Sequence, residues 1–133
     1  MKILTYTALG MLAMQSFIAT PTFAARKVVT VYQDLSKISS KPISAASVEK
    51  AFMTCTSARG WKFTRVAPGK LIGQLNVRSK HYVEVDVAYS SKAYSIAYRN
   101  SKNMRYYAEE NTIHNRYGSW VKNMSNDVIF CLQ

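Results

Sequence analysis

Apolar and polar positions alternate along most of the stretch Trp61–Arg99, which predicts four consecutive β-strands. The alternation is clearest in Tyr82–Tyr89, where three valines share one face and Glu84 and Asp86 lie on the other. Short polar connections separate the strands, and such connections make neighbouring strands antiparallel. The predicted strands are Trp61–Val66, Leu71–Arg78, Tyr82–Tyr89 and Lys92–Arg99.

Apolar residues recur at helical spacing on both sides of this sheet, in Ser44–Arg59 and in Asn111–Leu132. Ser44 is a good N-cap for the first helix because its hydroxyl can accept a hydrogen bond from a free backbone N–H of the first turn. Glu109 and Glu110 precede the second helix, where the helix dipole favours negative charge.

The order α-β-β-β-β-α predicts an α+β fold, namely a two-layer sandwich with a four-stranded antiparallel sheet and both helices on its apolar face. Residues 25–43 are polar and are interpreted as an N-terminal linker, in which Val28–Tyr32 can add a short strand at a sheet edge. Residues 44–133 are the predicted single domain.

Residues 1–24 have the layout of a secretory signal peptide. Lys2 is the basic start, Ile3–Ile18 is apolar, and Ala24 ends a cleavage site with small residues at positions −3 and −1. The alternative is an uncleaved membrane anchor, which the residues on either side of the apolar stretch disfavour. Because no cysteine precedes Cys55, a lipid attachment site is not expected. The mature chain is predicted to be soluble, without a membrane-spanning segment, and exported to the periplasm or secreted.

Positive charge is the most distinctive bulk property. The formal net charge is +11, and Lys2 contributes one of these charges, which leaves +10 on the mature chain. No acidic residue occurs in Lys50–Val83. Such a surface favours an anionic partner, for example a lipid headgroup, a cell-wall polymer or nucleic acid, and export argues against nucleic acid. The alternative is that the charge only maintains solubility.

Several separated motifs are shared with a known family. They are Arg59-Gly60-Trp61, Ala67-Pro68-Gly69-Lys70, Tyr94-Ser95-Ile96, Ile113-His114-Asn115-Arg116-Tyr117 and Trp120-Val121-Lys122-Asn123. With this IHxxYxxWVxN signature the chain resembles a family of small exported proteins and lipoproteins of Gram-negative bacteria whose function is not established. The resemblance implies a location in the cell envelope and no known enzymatic activity.

His81 and His114 are the only two histidines, and they raise the question of an acid–base pair like that of a small ribonuclease. His81 is predicted in a turn and His114 in the first turn of the second helix, so the two are not expected to converge. The histidines and cysteines lack the spacing of metal ligands, and neither a metal nor another cofactor is predicted.

Cys55 and Cys131 could form a disulfide in an oxidising compartment. Four antiparallel strands between the helices predict that the helices run in opposite directions. Each cysteine lies near the end of its helix, so the two are expected at opposite edges of the sheet, beyond the ~7 Å Cα separation that a disulfide permits. Two buried thiols are therefore the favoured interpretation.

Two surfaces are candidates for binding. The loop with Tyr106 and Tyr107 could hold an anionic or sugar-like ligand, and the open face of the sheet, which includes Glu84 and Arg99, could dock a protein. The candidate surface for an anionic ligand comprises Lys62, Arg65, Lys70, Arg78, Lys80, Arg99, Lys102, Arg105, Tyr106 and Tyr107.

The function predicted from the sequence is that of a non-enzymatic envelope protein that binds an anionic envelope component or an envelope protein through its basic surface. One alternative is a small secreted hydrolase, ribonuclease-like, that uses His81 or His114. Another is an interaction or inhibitory module that uses the open sheet face.

Overall fold

A computed structural model describes residues 25–133 of the chain, and the predicted signal peptide lies outside the described residues. The elements are β1 (Arg26–Lys27), β2 (Val31–Asp34), α1 (Ala45–Cys55), a 3-10 turn (Ser57–Arg59), β3 (Lys62–Ala67), β4 (Lys70–Val77), β5 (His81–Tyr89), β6 (Ala93–Lys102), β7 (Thr112–Ile113) and α2 (Arg116–Leu132). The main sheet is antiparallel with the strand order β2-β6-β5-β4-β3, and β1 pairs with β7 in a separate two-stranded sheet.

The four predicted strands, observed as β3–β6, and the α+β class are confirmed, but the main sheet has five strands instead of four. The fifth is β2, which pairs with β6 at the sheet edge and begins three residues later than the strand expected at Val28–Tyr32. Leu35, which follows β2, is buried in the core. The segment interpreted as a linker therefore contributes two strands, β1 and β2, and a core residue.

The core lies between one face of the sheet and the two helices. Phe52 of α1 contacts the rings of Tyr94 and Phe63 edge-on, with centroid distances of 5.0 and 5.4 Å. The buried Tyr94 hydroxyl is 2.5 Å from the hydroxyl of Ser125 on α2, which satisfies both polar groups. The valines of β5 are almost completely buried on this face, as their alternation predicts.

Helix α1 begins as predicted. The Ser44 hydroxyl accepts a hydrogen bond from the backbone N–H of Ser47, and the Ser47 hydroxyl oxygen accepts one from the backbone N–H of Ser44, which completes a capping box. The α-helix ends at Cys55, four residues before the predicted end, because residues 57–59 tighten into the 3-10 turn. Gly60 closes this turn with a φ of +96°.

Helix α2 begins at Arg116 instead of Asn111, so the prediction of its start is wrong. Residues Thr112–Ile113 form β7 before it. The buried side chain of Ile113 is four residues from Tyr117 and therefore imitates the helical spacing while it lies in a strand. Glu109 and Glu110 are consequently not in the first turn of the helix, and the argument from its dipole does not apply to them.

Cys55 and Cys131 form a disulfide, with their Cα atoms 6.6 Å apart, so the interpretation as two buried thiols is wrong. The number of antiparallel strands between two helices predicts their relative direction only when a tight turn joins the last strand to the second helix. Residues 103–115 separate β6 from α2, and this length lets the C-terminal ends of the helices meet. Asp127 and Arg59 form an ion pair close to the same ends.

Candidate functional site

A cavity of about 490 Å³ opens at the end of the sheet where β4 turns into β5. We call this cavity the basic pocket. It is lined by residues from three segments: the β4–β5 turn, the loop after β6, and the residues around the start of α2. They are Val77, Arg78, Lys80, His81, Asn103, Arg105, His114, Arg116 and Trp120. Four of these side chains are Arg or Lys, and none of these lining residues is acidic.

The β4–β5 turn has an unusual backbone for its sequence. Arg78 and Ser79 have φ values of +55° and +53°, and the N–H of Lys80 donates to the carbonyl of Val77 at 3.0 Å. Two central residues with positive φ are the pattern of a type I′ hairpin turn, which normally contains Asn and Gly. A left-handed conformation costs a residue with a Cβ about 1–2 kcal/mol. The turn therefore holds Arg78 at the pocket against a local energetic preference.

The loop after β6 shows the same feature. Asn103 and Arg105 have φ values of +57° and +48°, and Met104 between them is buried in the core. The Met104 carbonyl accepts a hydrogen bond from the His114 backbone N–H at 2.8 Å. The Asn103 side chain donates to the carbonyl of Lys80 at 2.8 Å, so the loop is tied to the β4–β5 turn.

Three of the five non-glycine residues with positive φ among residues 25–133 line the basic pocket, and a fourth, Ser79, is adjacent to Arg78. Sparsely populated backbone conformations cluster at functional sites because the surrounding structure has to hold them in place. The backbone therefore supports this pocket as the functional site independently of its charge.

His81 and His114 converge in the basic pocket, with ring centroids 5.5 Å apart, so the expectation that they would lie apart is wrong. The reason is the late start of α2. His114 lies before the helix, on the segment that returns from β6 to the end of the sheet, and not on the helical layer. Trp120 completes the group, with its ring 6.2 Å from that of His81.

The backbone gives the two neutral histidines opposite tautomers. Nδ1 of His81 is 2.7 Å from the carbonyl oxygen of Asn103 and must therefore carry the proton that it donates. Nδ1 of His114 accepts a hydrogen bond from the N–H of Arg116 at 3.1 Å, so the proton of neutral His114 is on Nε2. His81 can take up a second proton at Nε2 and keep its hydrogen bond to the Asn103 carbonyl. Protonation of His114 would occur at Nδ1 and would break the hydrogen bond that this atom accepts from the Arg116 N–H.

The surroundings of His114 also oppose its protonation. Burial lowers the pKa of His114 below its usual value, and the electrostatic influence of the nearby His81, Arg105 and Arg116 side chains lowers it further. Only 8% of the residue is exposed. His114 is therefore neutral at pH 7, and the charge of the pocket comes from its Arg and Lys side chains.

The residues of the surface predicted to bind an anionic ligand lie in different places in the structure. Arg78, Lys80 and Arg105 lie together in the basic pocket. Arg99 instead forms ion pairs with Asp86 at 3.0 Å and Glu84 at 3.7 Å, and Arg65 lies 3.8 Å from Glu49. Lys62, Lys70 and Lys102 line no part of this pocket.

Tyr106 and Tyr107 lie in the loop after β6, outside the basic pocket. The Tyr106 ring stacks on Tyr98 with a centroid distance of 4.2 Å. The backbone of Tyr107 pairs with Thr112 through hydrogen bonds of 2.9 and 3.2 Å. Tyr107 thereby extends the pairing of β7, whereas Tyr106 packs on β6.

Arg116, Trp120 and Asn103 belong to the pocket but were not among the candidate residues. The available signal for Arg116 and Trp120 was their place in the segments from which a family resemblance was predicted. Trp120 was assigned to the core from its helical spacing, but it is only partly buried because it faces the cavity. No pattern in the sequence pointed to Asn103, because its place in the pocket depends on a left-handed backbone conformation.

The polar side chains of the open sheet face bind one another. Glu84 accepts hydrogen bonds from the Tyr82 hydroxyl at 2.7 Å and from the Gln74 side chain at 3.5 Å. Arg99 bridges Glu84 and Asp86. The charges that suggested a docking surface are thus satisfied within the sheet.

No helix within residues 25–133 combines the length and the apolar character needed to cross a membrane. In the same part of the chain, no group of three His, Cys, Asp or Glu side chains could hold a metal ion. No model of a protein family, no curated protein and no solved structure matches the chain.

Proposed function

We propose that this protein is an exported, non-enzymatic protein of the bacterial envelope that binds an anionic envelope component in the basic pocket. The observation that carries the proposal is the collection of four Arg and Lys side chains around one cavity whose lining residues include no acid. Like charges held close together repel one another and destabilise the folded chain, so such a cluster is favourable only when an anion neutralises it.

The distribution of ion pairs supports the pocket over the rest of the basic surface. Arg59, Arg65 and Arg99 are each paired with a carboxylate. Arg78 and Arg116 form no ion pair with any residue in the described part of the chain. Lysines without an ion pair to these residues also lie elsewhere on the surface, Lys50 and Lys62 among them, so the pocket is distinguished by gathering its cations around one cavity, where the backbone is also strained.

A second candidate function is that of a small hydrolase, and the convergence of His81 and His114 favours it. Acid–base catalysis by two histidines needs one ring that accepts a proton and another that is protonated and donates one. His81 can accept a proton at Nε2. His114 is a poor partner, because its Nδ1 already accepts a hydrogen bond from the backbone and its pKa is lowered. The same geometry suits a binding site, in which neutral His114 fixes the chain around the pocket.

Incubation of the mature protein with single-stranded RNA tests the hydrolase. We expect no cleavage above that of a His81→Ala/His114→Ala variant prepared in the same way. Cleavage by the original protein that the double variant lacks would establish the hydrolase and overturn the non-enzymatic assignment.

Co-sedimentation with cell-envelope fragments of a Gram-negative bacterium tests the binding function. We expect the mature protein to bind at low ionic strength and to be released at about 1 M salt, where the screening length falls to about 3 Å. The variant Arg78→Gln/Arg116→Gln should bind about tenfold more weakly, which corresponds to about 1.4 kcal/mol.

The matched control is Lys50→Gln/Lys62→Gln, which removes the same net charge from exposed positions outside the basic pocket. This variant should bind nearly as well as the original protein. Absence of binding at low salt would refute the proposed function. Equal weakening by the two double variants would show that the net charge, and not the pocket, is responsible.

A further inference from the structure

A second cavity, of about 370 Å³, adjoins the basic pocket. We call it the polar cleft. Lys80 and His81 line both cavities, so one ligand can extend from one into the other. The polar cleft differs in its chemistry, because its other lining side chains include, besides Lys102, the carboxamides of Asn76 and Asn100, the phenol of Tyr82 and the carboxylate of Glu84.

The carboxylate of Glu84 adds a hydrogen-bond acceptor to the polar cleft. A hydrogen bond from the Tyr82 hydroxyl lowers the pKa of Glu84 below its usual value, so the carboxylate is negative at neutral pH. Lys80 and Lys102 also line the cleft and Arg99 pairs with Glu84, so cations balance this charge, and the carboxylate serves as an acceptor to which hydroxyl groups can donate. Carboxamides both donate and accept hydrogen bonds, which matches the alternating donors and acceptors of a sugar ring.

We propose that the basic pocket and the polar cleft together bind a phosphorylated carbohydrate, with the phosphate among the Arg and Lys side chains and the sugar ring along Asn76 and Asn100. The inference rests on the proposed function and names the class of its ligand. Arginine recognises phosphate well because its planar fork of N–H groups matches two phosphate oxygens. The positions of Lys80 and His81 between the cavities place them beside the bond that links phosphate and sugar.

The β4–β5 turn explains how one short segment serves both cavities. Arg78 and Ser79 are consecutive residues with positive φ, and Arg78 lines the basic pocket while Ser79 lines the polar cleft. The strained backbone of the turn thus directs one residue to the phosphate and the next to the sugar.

Calorimetric titration of the mature protein at low salt with glucose 6-phosphate, inorganic phosphate and glucose tests the inference. We expect glucose 6-phosphate to bind at least about tenfold more tightly than inorganic phosphate, and glucose alone to bind most weakly. The variant Asn76→Ala/Asn100→Ala should reduce the affinity for glucose 6-phosphate to that for inorganic phosphate and leave phosphate binding unchanged. Asn123→Ala, an exposed carboxamide on α2 outside both cavities, is the matched control and should have no effect.

The outcomes separate this inference from the proposed function. Equal affinities for glucose 6-phosphate and inorganic phosphate would overturn the sugar subsite and leave the basic pocket in place. A preference for the sugar phosphate that survives the double asparagine variant would overturn the assignment of the polar cleft. If no anion binds at low salt, both this inference and binding of phosphate by the basic pocket are overturned, whereas envelope binding is decided separately by co-sedimentation.

Discussion

Replacement of both cysteines by alanine is expected to lower the free energy of unfolding by about 4 kcal/mol. The bond between Cys55 and Cys131 spans 76 positions of the sequence and encloses all of β3–β7. A cross-link over so long a loop removes much of the conformational freedom of the unfolded chain, and for this length the entropic model gives about 4–5 kcal/mol. A domain of this size has a total stability of only about 5–15 kcal/mol, so the disulfide is a major part of it.

The measurement is urea unfolding, followed by circular dichroism, of the original protein and of the variant Cys55→Ala/Cys131→Ala. Thermal unfolding should show a decrease in Tm of about 15 °C or more, at about 4 °C or more for each kcal/mol. A reducing agent should destabilise the original protein by a similar amount and leave the variant unchanged, which is the internal control. A loss below about 1 kcal/mol would contradict the prediction.

Packing contributes little to this expected loss. Cys55 is partly exposed and Cys131 is exposed, so alanine leaves no large cavity at either position. The nearby ion pair between Arg59 and Asp127 remains in the variant, but an exposed pair of this kind contributes less than about 1 kcal/mol. The covalent bond is therefore the main connection between the C-terminal ends of the two helices, and its presence agrees with the predicted export to an oxidising compartment.

The central part of the fold could be predicted because its evidence is local. The valines of β5 alternate without interruption, and the turn at Gly69 has the Pro-Gly sequence that its φ of +78° requires. The capping box at Ser44 is equally visible in the sequence. The errors concern features that depend on distant contacts. The start of α2 was misplaced because Ile113 is buried by tertiary packing. The disulfide was missed because the long β6–α2 connection lets α2 run in a direction that the number of strands does not predict.

The site was predicted only in part for a related reason. Charge density pointed to Arg78, Lys80 and Arg105, and the structure brings these three residues together. It did not point to the histidines, since their approach depends on where α2 starts. Nor does Arg78-Ser79 have the sequence of a type I′ turn, because neither residue is Asn or Gly. Where local sequence and local structure disagree in this way, the position is a candidate for a functional role.

The replacement Arg78→Asn/Ser79→Gly is expected to stabilise the protein and to weaken its binding. Asn and Gly adopt positive φ at lower cost, and relief of two strained residues should raise the free energy of unfolding by about 1–2 kcal/mol after the greater flexibility of Gly in the unfolded chain is counted. The same change removes one cation from the basic pocket, so binding to envelope fragments should fall about fivefold to tenfold, or about 1–1.4 kcal/mol.

Urea unfolding and co-sedimentation of the same preparations measure the two effects, and two single variants separate their causes. Ser79→Gly should raise stability by about 0.5–1 kcal/mol and keep envelope binding, since Arg78 is retained. Arg78→Asn should account for nearly all of the lost binding. A double variant that is no more stable than the original would show that the turn is not strained, and one that still binds fully would remove Arg78 from the site. A gain in stability together with a loss of binding would mean that this turn keeps a less stable sequence because its arginine is needed at the pocket.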